Sequence, residues 1–243
     1  MMPHINAAIH SAVHSAIHSS TPTMLNDPHA GIPPLLAGAP LSSTTYALVL
    51  VHGRGGSAES MVPLARSAGA LDGAIIAPRA ADGSWYPDRF LAPVERNEPW
   101  LTSALASVDT AVKSAVAAGI PLERIVIAGF SQGACLSLEY VARNPARYGG
   151  VAALAGALIG ADVSVRTLEA ALAATPVLLA CGDQDAHIPE ARVRSAGRAF
   201  IAAGAEVDVR IYEGLGHTVI EDQIEALRAM IDRVRGSGAA AQR

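Results

Sequence analysis

Residues 124–133 read Arg-Ile-Val-Ile-Ala-Gly-Phe-Ser-Gln-Gly, and an Ala-rich apolar stretch of helical character follows at once. A β-branched run that ends in G-x-S-x-G and turns directly into a helix leaves little freedom for the rest of the chain. The serine must sit on a sharp turn between a buried strand and a buried helix, in a strained conformation with its hydroxyl above the sheet edge. Gly129 and Gly133 flank it at two residues because a Cβ at either place would strike the neighbouring strand or helix. Such a turn needs a sheet with helices packed on it, so the pattern predicts an α/β domain with Ser131 at the carboxyl edge of its sheet.

The remaining chain supplies that domain. From Thr45 onward, apolar runs of strand length alternate with helical patterns. Strands are expected at Tyr46–Val51, Ala74–Ala77, the run before Ser131, Gly150–Leu154, Pro176–Ala180 and Val207–Tyr212. Helices are expected from Ser57 to Ala68, Trp100–Ala118, Gln132–Asn144, Val165–Ala174, Pro189–Ala203 and a last one ending at Arg235. Alternation of this kind predicts a mostly parallel central sheet with helices on both faces. No insertion is long enough for a large cap domain.

Pro78 to Pro99 is a long irregular loop holding Trp85, Tyr86, Arg89 and Phe90, and loops of that length in compact domains are usually functional. Trp85, Tyr86, Leu158 and Ile159 are candidate pocket walls. The expected division is an N-terminal arm and connector over 1–44, one domain over 45–236 and a fraying tail over 237–243. Within the arm, His10, His14 and His18 recur every four residues, as do Ile9, Val13 and Ile17, so 6–19 reads as a short amphipathic helix.

A serine hydroxyl becomes a nucleophile when a base takes its proton and an acid orients that base. Of the eight histidines, five precede the core, His52 opens the glycine loop after the first strand, and His187 and His217 remain. His217 lies in a Gly-flanked loop after the last strand and is the expected base. His187 is two residues beyond Asp185, in the same loop as the acid and badly placed to bridge to the serine, and is expected as a solvent-facing loop residue at the pocket rim. The acid is Asp183 or Asp185, both at the end of the fifth strand; Asp185 has the longer reach, and the other carboxylate is left to cap the turn. Donors for a developing oxyanion are expected from the backbone N–H groups of Gln132, at a helix N-terminus, and of Arg54, in the His52–Gly56 loop. The Arg54 side chain is free in this reading to meet an anionic substrate or to point into water.

Composition narrows the partners. The 243-residue chain carries a formal net charge of −4 and is 51% hydrophobic. It has no basic run that would mark a nucleic-acid surface and no stretch of membrane-span length. The two cysteines, Cys135 and Cys181, lie in apolar stretches with neither metal-ligand nor disulfide spacing. The N-terminus shows no basic region followed by an apolar one, so the default expectation is a cytoplasmic protein. Assembly into a homodimer is left open.

Several motifs in fixed order resemble the phospholipase/carboxylesterase family of α/β-hydrolases, which includes bacterial carboxylesterases and acyl-protein thioesterases. They are Leu-Val-His-Gly-Arg-Gly-Gly at 50–56, Ile-Ala-Pro at 76–78, Gly-Phe-Ser-Gln-Gly at 129–133, Gly-Asp-Gln-Asp-Ala-His-Ile-Pro at 182–189 and Tyr-Glu-Gly-Leu-Gly-His at 212–217. The resemblance implies an α/β-hydrolase fold and a triad of Ser131, Asp185 and His217. It also implies an oxyanion hole formed by the amides of Arg54 and Gln132, a small-molecule ester as substrate, and neither metal nor organic cofactor. Two features depart from the pattern. Members of the family commonly carry Leu where Arg54 stands, and the segments Gly83–Pro87 and Asn97–Pro99 look like a bacterial sub-branch rather than the acyl-protein thioesterases proper. The expectation is a serine esterase acting on short- to medium-chain esters through an acyl-enzyme. The alternatives are a thioesterase or lysophospholipase of the same fold and, from another class, an inactive binding module. A dienelactone-type hydrolase is disfavoured by serine at the nucleophile position.

Overall fold

The computed structural model describes residues 27–162 and 167–240, with side chains described through 236. The 6–19 helix, with its three histidines, lies outside the described residues.

Seven strands form one sheet: β1 (Leu35–Gly38), β2 (Ala47–Val51), β3 (Ala74–Ala77), β4 (Ile125–Phe130), β5 (Gly150–Leu154), β6 (Pro176–Gly182) and β7 (Glu206–Tyr212), in the order β1-β3-β2-β4-β5-β6-β7. All neighbours pair in parallel except β1, which runs antiparallel to β3. Among the described residues five α-helices cover it: α1 (Val62–Ser67), α2 (Trp100–Ala117), α3 (Gln132–Arg143), α4 (Glu190–Ala202) and α5 (Glu221–Ala240).

Strands β2 to β5 are buried except at Phe130, the half-buried last residue of β4, which is why they read as unbroken apolar runs rather than alternating ones. Their side chains divide by parity between two cores. Val49, Val51, Ile127 and Val151 pack with α2, α3 and α4, whereas Leu48, Leu50, Val126 and Ala152 pack with α1 and α5. The sheet grows outward from β2 in both directions, with β3 on one side and β4 on the other. Loops that leave the carboxyl ends of β2 and β4 therefore open a crevice at that switch point.

Three expectations are corrected. The domain does not begin at residue 45, because Leu35–Gly38 forms the edge strand β1, alternating half-buried and exposed. His29 is also buried against Trp85 and Trp100. The expected Val165–Ala174 helix is absent over its described part, 167–174. There the main chain bonds elsewhere: Leu172 N–H donates to Ala203 O (3.3 Å), Ala174 N–H donates to Gly204 O (2.7 Å), and Ala173 and Ala174 take positive φ. Leu168 and Leu172 are buried at helical spacing without a helix. At the C-terminus, α5 continues past Arg235 to Ala240, since no proline or competing partner interrupts its backbone ladder. The other elements agree with their expected positions to within a few residues, although the stretch after Ser57 starts as a 3₁₀ turn (Ala58–Met61) before α1.

Candidate active site

Ser131 stands between β4 and α3 with φ 56° and ψ −120°, a conformation that L-residues rarely adopt. Two main-chain bonds hold it there: Ser131 N–H donates to Leu154 O on β5 (3.0 Å), and Ser131 O accepts from Cys135 N–H (3.0 Å). The flanking glycines are required for a concrete reason. A Cβ on Gly129 would strike the Gly133 main chain, and a Cβ on Gly133 would strike the carbonyl oxygens of Val51 and His52.

The loops after β6 and β7 bring the other two groups to the serine. His217 Nε2 lies 2.8 Å from Ser131 Oγ, and His217 Nδ1 lies 2.6 Å from Asp185 Oδ2. With Nδ1–H donating to the carboxylate, Nε2 is left to accept the serine proton. The His217 ring is also fixed by packing, with Phe130 at 5.0 Å and the edge of His187 at 4.8 Å between ring centroids. His187 thus touches the base rather than the serine and lines the pocket.

Asp185 is fully saturated as an acceptor. Its Oδ1 takes the N–H groups of His187 (2.8 Å) and Ile188 (3.0 Å), and its Oδ2 takes His217 together with the Cys181 thiol (3.4 Å). Burial pushes this carboxyl up, but the hydrogen bonds from His217 and the two N–H groups outweigh it and hold the group below the usual aspartate range. Burial also pushes the Cys181 thiol up to about 12, so it stays a neutral donor to the acid. Asp183 has a different task from the turn cap expected of it: its Oδ1 accepts Gly214 N–H (2.7 Å) and ties the acid loop to the histidine loop.

Among the described residues, the backbone N–H groups of Arg54 and Gln132 have no hydrogen-bond acceptor, and both residues line the pocket with Ser131. Their side chains do work that sequence reasoning missed. Gln132 Oε1 accepts Trp85 N–H (3.0 Å) and its Nε2 donates to Tyr86 O (2.8 Å). The Arg54 guanidinium donates to the carbonyls of Tyr86 (2.9 Å), Pro87 (2.9 Å) and Asp88 (2.6 Å). Though exposed, it is tied down by these three bonds and holds the 84–90 loop.

That loop forms one wall of a pocket of about 450 Å³. Of the four expected wall residues only Tyr86 lines it. Leu158 and Ile159 are buried in the core instead. Trp85 is a buttress: its indole N–H donates to His52 O (2.8 Å), and its ring packs against those of His29 and His52. Both histidines are neutral acceptors of main-chain N–H groups. His29 Nδ1 accepts from Ala81 (3.0 Å) while its Nε2–H donates to Trp85 O (2.9 Å), and His52 Nε2 accepts from Ala80 (3.2 Å).

Burial pulls the pKa of both His29 and His52 below 6.5. The unfolded chain therefore binds more protons than the folded one in the window just below 6.5. Stability from this pair is complete above about pH 6.5 and is lost as pH falls through that value toward the folded-state pKa values. The urea midpoint is expected to stay level from about pH 8 to 7 and to drop between about pH 6.5 and 5, ahead of the carboxylates Asp72 and Asp185, which act near pH 4 and below. A level midpoint down to about pH 5 would rule this out.

Residues 38–235 match the phospholipase/carboxylesterase family. The chain belongs to that family. A crystal structure of a phospholipase/carboxylesterase from Dyadobacter fermentans is 40% identical, with a TM-score of 0.79, covering 82% of this chain and 95% of that one. Acyl-protein thioesterase 1 of Saccharomyces cerevisiae is 29% identical over 134 residues, 54% of this chain and 59% of that protein. A probable carboxylesterase of Oryza sativa subsp. japonica is 32% identical over 154 residues, 61% of this chain and 57% of that protein. The chain thus aligns with less than two thirds of the length of these two curated relatives. The family's α/β-hydrolase fold accounts for the seven-stranded, mostly parallel sheet. Among the described residues no helix is long and apolar enough to cross a membrane.

Proposed function

We propose that this chain is a serine hydrolase of carboxylic esters, with Ser131 as nucleophile, His217 as general base and acid, and Asp185 as the group that orients it. The observation that carries the reading is the unbroken relay of 2.8 Å and 2.6 Å from Ser131 Oγ through the His217 ring to Asp185. Family membership supports it.

In the first step Ser131 Oγ attacks the ester carbonyl carbon while its proton passes to His217 Nε2. The carbonyl oxygen becomes an oxyanion that accepts from the N–H groups of Arg54 and Gln132; one such donor contributes about 3–4 kcal/mol to the transition state. The tetrahedral species collapses, the C–O bond breaks, and the departing alkoxide takes the proton from His217. Water then attacks the acyl-serine with His217 again as base and releases the acid and free Ser131. An open pocket of about 450 Å³ suits short or medium acyl chains better than long ones.

Mass-spectrometric mapping of a serine-directed fluorophosphonate, followed by rates across acyl-chain length, tests this reading. The label is expected on Ser131, and labelling elsewhere or nowhere contradicts the mechanism. A thioesterase reading is favoured by one observation, the yeast relative's name, acyl-protein thioesterase 1. Comparing aryl esters with acyl thioesters of equal chain length decides between the two.

A further inference from the structure

The charges around the pocket do not balance. Away from the pocket some arginines pair with carboxylates, as in Arg79 with Glu59, Arg194 with Glu190 and Arg235 with Asp72, while Arg124 and Arg147 donate to main-chain carbonyls. The pocket gathers two arginines that likewise lack a carboxylate partner. Arg54 and Arg89 both line it, and neither meets a carboxylate. The Arg54 guanidinium is bound by three carbonyls, which fix its position and leave its charge uncancelled. The exposed Arg89 guanidinium has no hydrogen bond, ion pair or ring contact among the described residues.

Asp88 is the acidic residue that lines the same pocket, and its carboxylate is already occupied. One oxygen pairs with Arg96 (2.7 Å) and the other accepts the Arg89 N–H (2.7 Å). The segment that presents Arg89 is held at several points: Asn97 Oδ1 accepts Asp88 N–H (2.8 Å), Asn97 Nδ2 donates to Arg89 O (3.3 Å), and Arg54 grips the preceding carbonyls. A guanidinium on a fixed backbone, at the rim of a concave site and without a carboxylate of its own, is arranged for a planar or tetrahedral oxyanion.

We infer that the ester accepted here carries a negative charge, which Arg89 engages by hydrogen bonding while Arg54 adds an attractive field. The inference rests on the hydrolase reading of Ser131 and adds the substrate class to it. A carboxylate on the acyl chain and one on the departing alcohol share this chemistry, and separate arms of the test distinguish them.

The probes are 4-nitrophenyl monoadipate against neutral 4-nitrophenyl hexanoate, and 3-carboxyphenyl hexanoate against phenyl hexanoate. The readout is the ratio of kcat/KM for the anionic to the neutral ester of each pair. In the wild-type chain this ratio is expected to exceed one in at least one arm, through a lower KM. It is expected to fall about tenfold in Arg89→Gln, and also when salt is raised from about 20 mM to about 300 mM. A ratio at or below one in both arms, or one that Arg89→Gln leaves in place, overturns the charge preference. Turnover of the neutral esters with label on Ser131 would in that event leave the hydrolase reading standing. Absence of turnover on every ester overturns both.

Discussion

Replacing Ser131 by alanine is expected to lower kcat/KM on a carboxylic ester by roughly 10⁴–10⁶-fold with no loss of folded structure. Alanine keeps the Cβ that the φ 56° turn already accommodates, so the change removes only the oxygen that His217 Nε2 faces at 2.8 Å. What survives is the part of catalysis that needs no nucleophile, stabilisation by the N–H groups of Arg54 and Gln132. His217→Ala is expected to fail to a similar degree, because the two residues act as a unit and their losses do not add. His187→Ala is expected to cost far less: its ring meets the edge of His217 at 4.8 Å and lies outside the proton path. Steady-state rates with circular dichroism of each variant check the set. Near-normal turnover in Ser131→Ala would sink the mechanism, and a larger loss in His187→Ala than in His217→Ala would overturn the choice of base. A wild-type chain that binds esters without turning them over would point to the inactive binding module.

The second large effect is on folding. Gly133→Ala is expected to destabilise the domain by at least about 4 kcal/mol, enough to leave much of it unfolded or insoluble. The added methyl would meet the carbonyl oxygens of Val51 and His52, which belong to the central strand β2 and its loop and have no side-chain freedom with which to yield. Gly182→Ala is expected to behave alike, because its Cβ would meet the Leu215 carbonyl where the acid and histidine loops touch. Gly69→Ala is the control. That residue has φ +72° with nothing within 4 Å, so its penalty is conformational only, about 1 kcal/mol. Thermal melts and soluble yield check the series, and a Gly133→Ala domain that melts with the control would refute the packing argument.

What the sequence made legible was whatever is encoded locally. Ile125-Val126-Ile127-Ala128 followed by Gly-Phe-Ser-Gln-Gly announces a buried strand, a tight turn and a helix, because the apolar run and the glycine spacing mark all three within a few residues. Ser131 and His217 were readable for the same reason, each following a recognisable strand; Asp183 and Asp185 follow the same one, and the family motif singled out Asp185. What escaped depends on partners distant in sequence. Leu35–Gly38 becomes a strand only because β3 offers an open edge, and 167–174 avoids a helix because its N–H groups find carbonyls at 203 and 204. Trp85 looked like a pocket wall because a large aromatic in a long loop often is one; the His52 carbonyl that draws its indole inward is 33 residues away. No periodicity or motif marks His29 as a brace. The side-chain duties of Arg54 and Gln132 were hidden behind the backbone duties that the turn geometry suggested.

The grip of Arg54 on the carbonyls of Tyr86, Pro87 and Asp88 has a consequence for how such enzymes diverge and how they can be rebuilt. One residue joins the His52–Gly56 loop to the opposite wall, so a change on either side is felt by the other. A lineage with leucine at that position must brace its wall by another contact. A chimaera that takes the 84–90 loop from one parent and residue 54 from another would inherit a clasp with half its parts. Recombination breakpoints in this family are best placed outside the stretch from residue 52 to residue 99, where the clasp and the asparagine that backs it travel together.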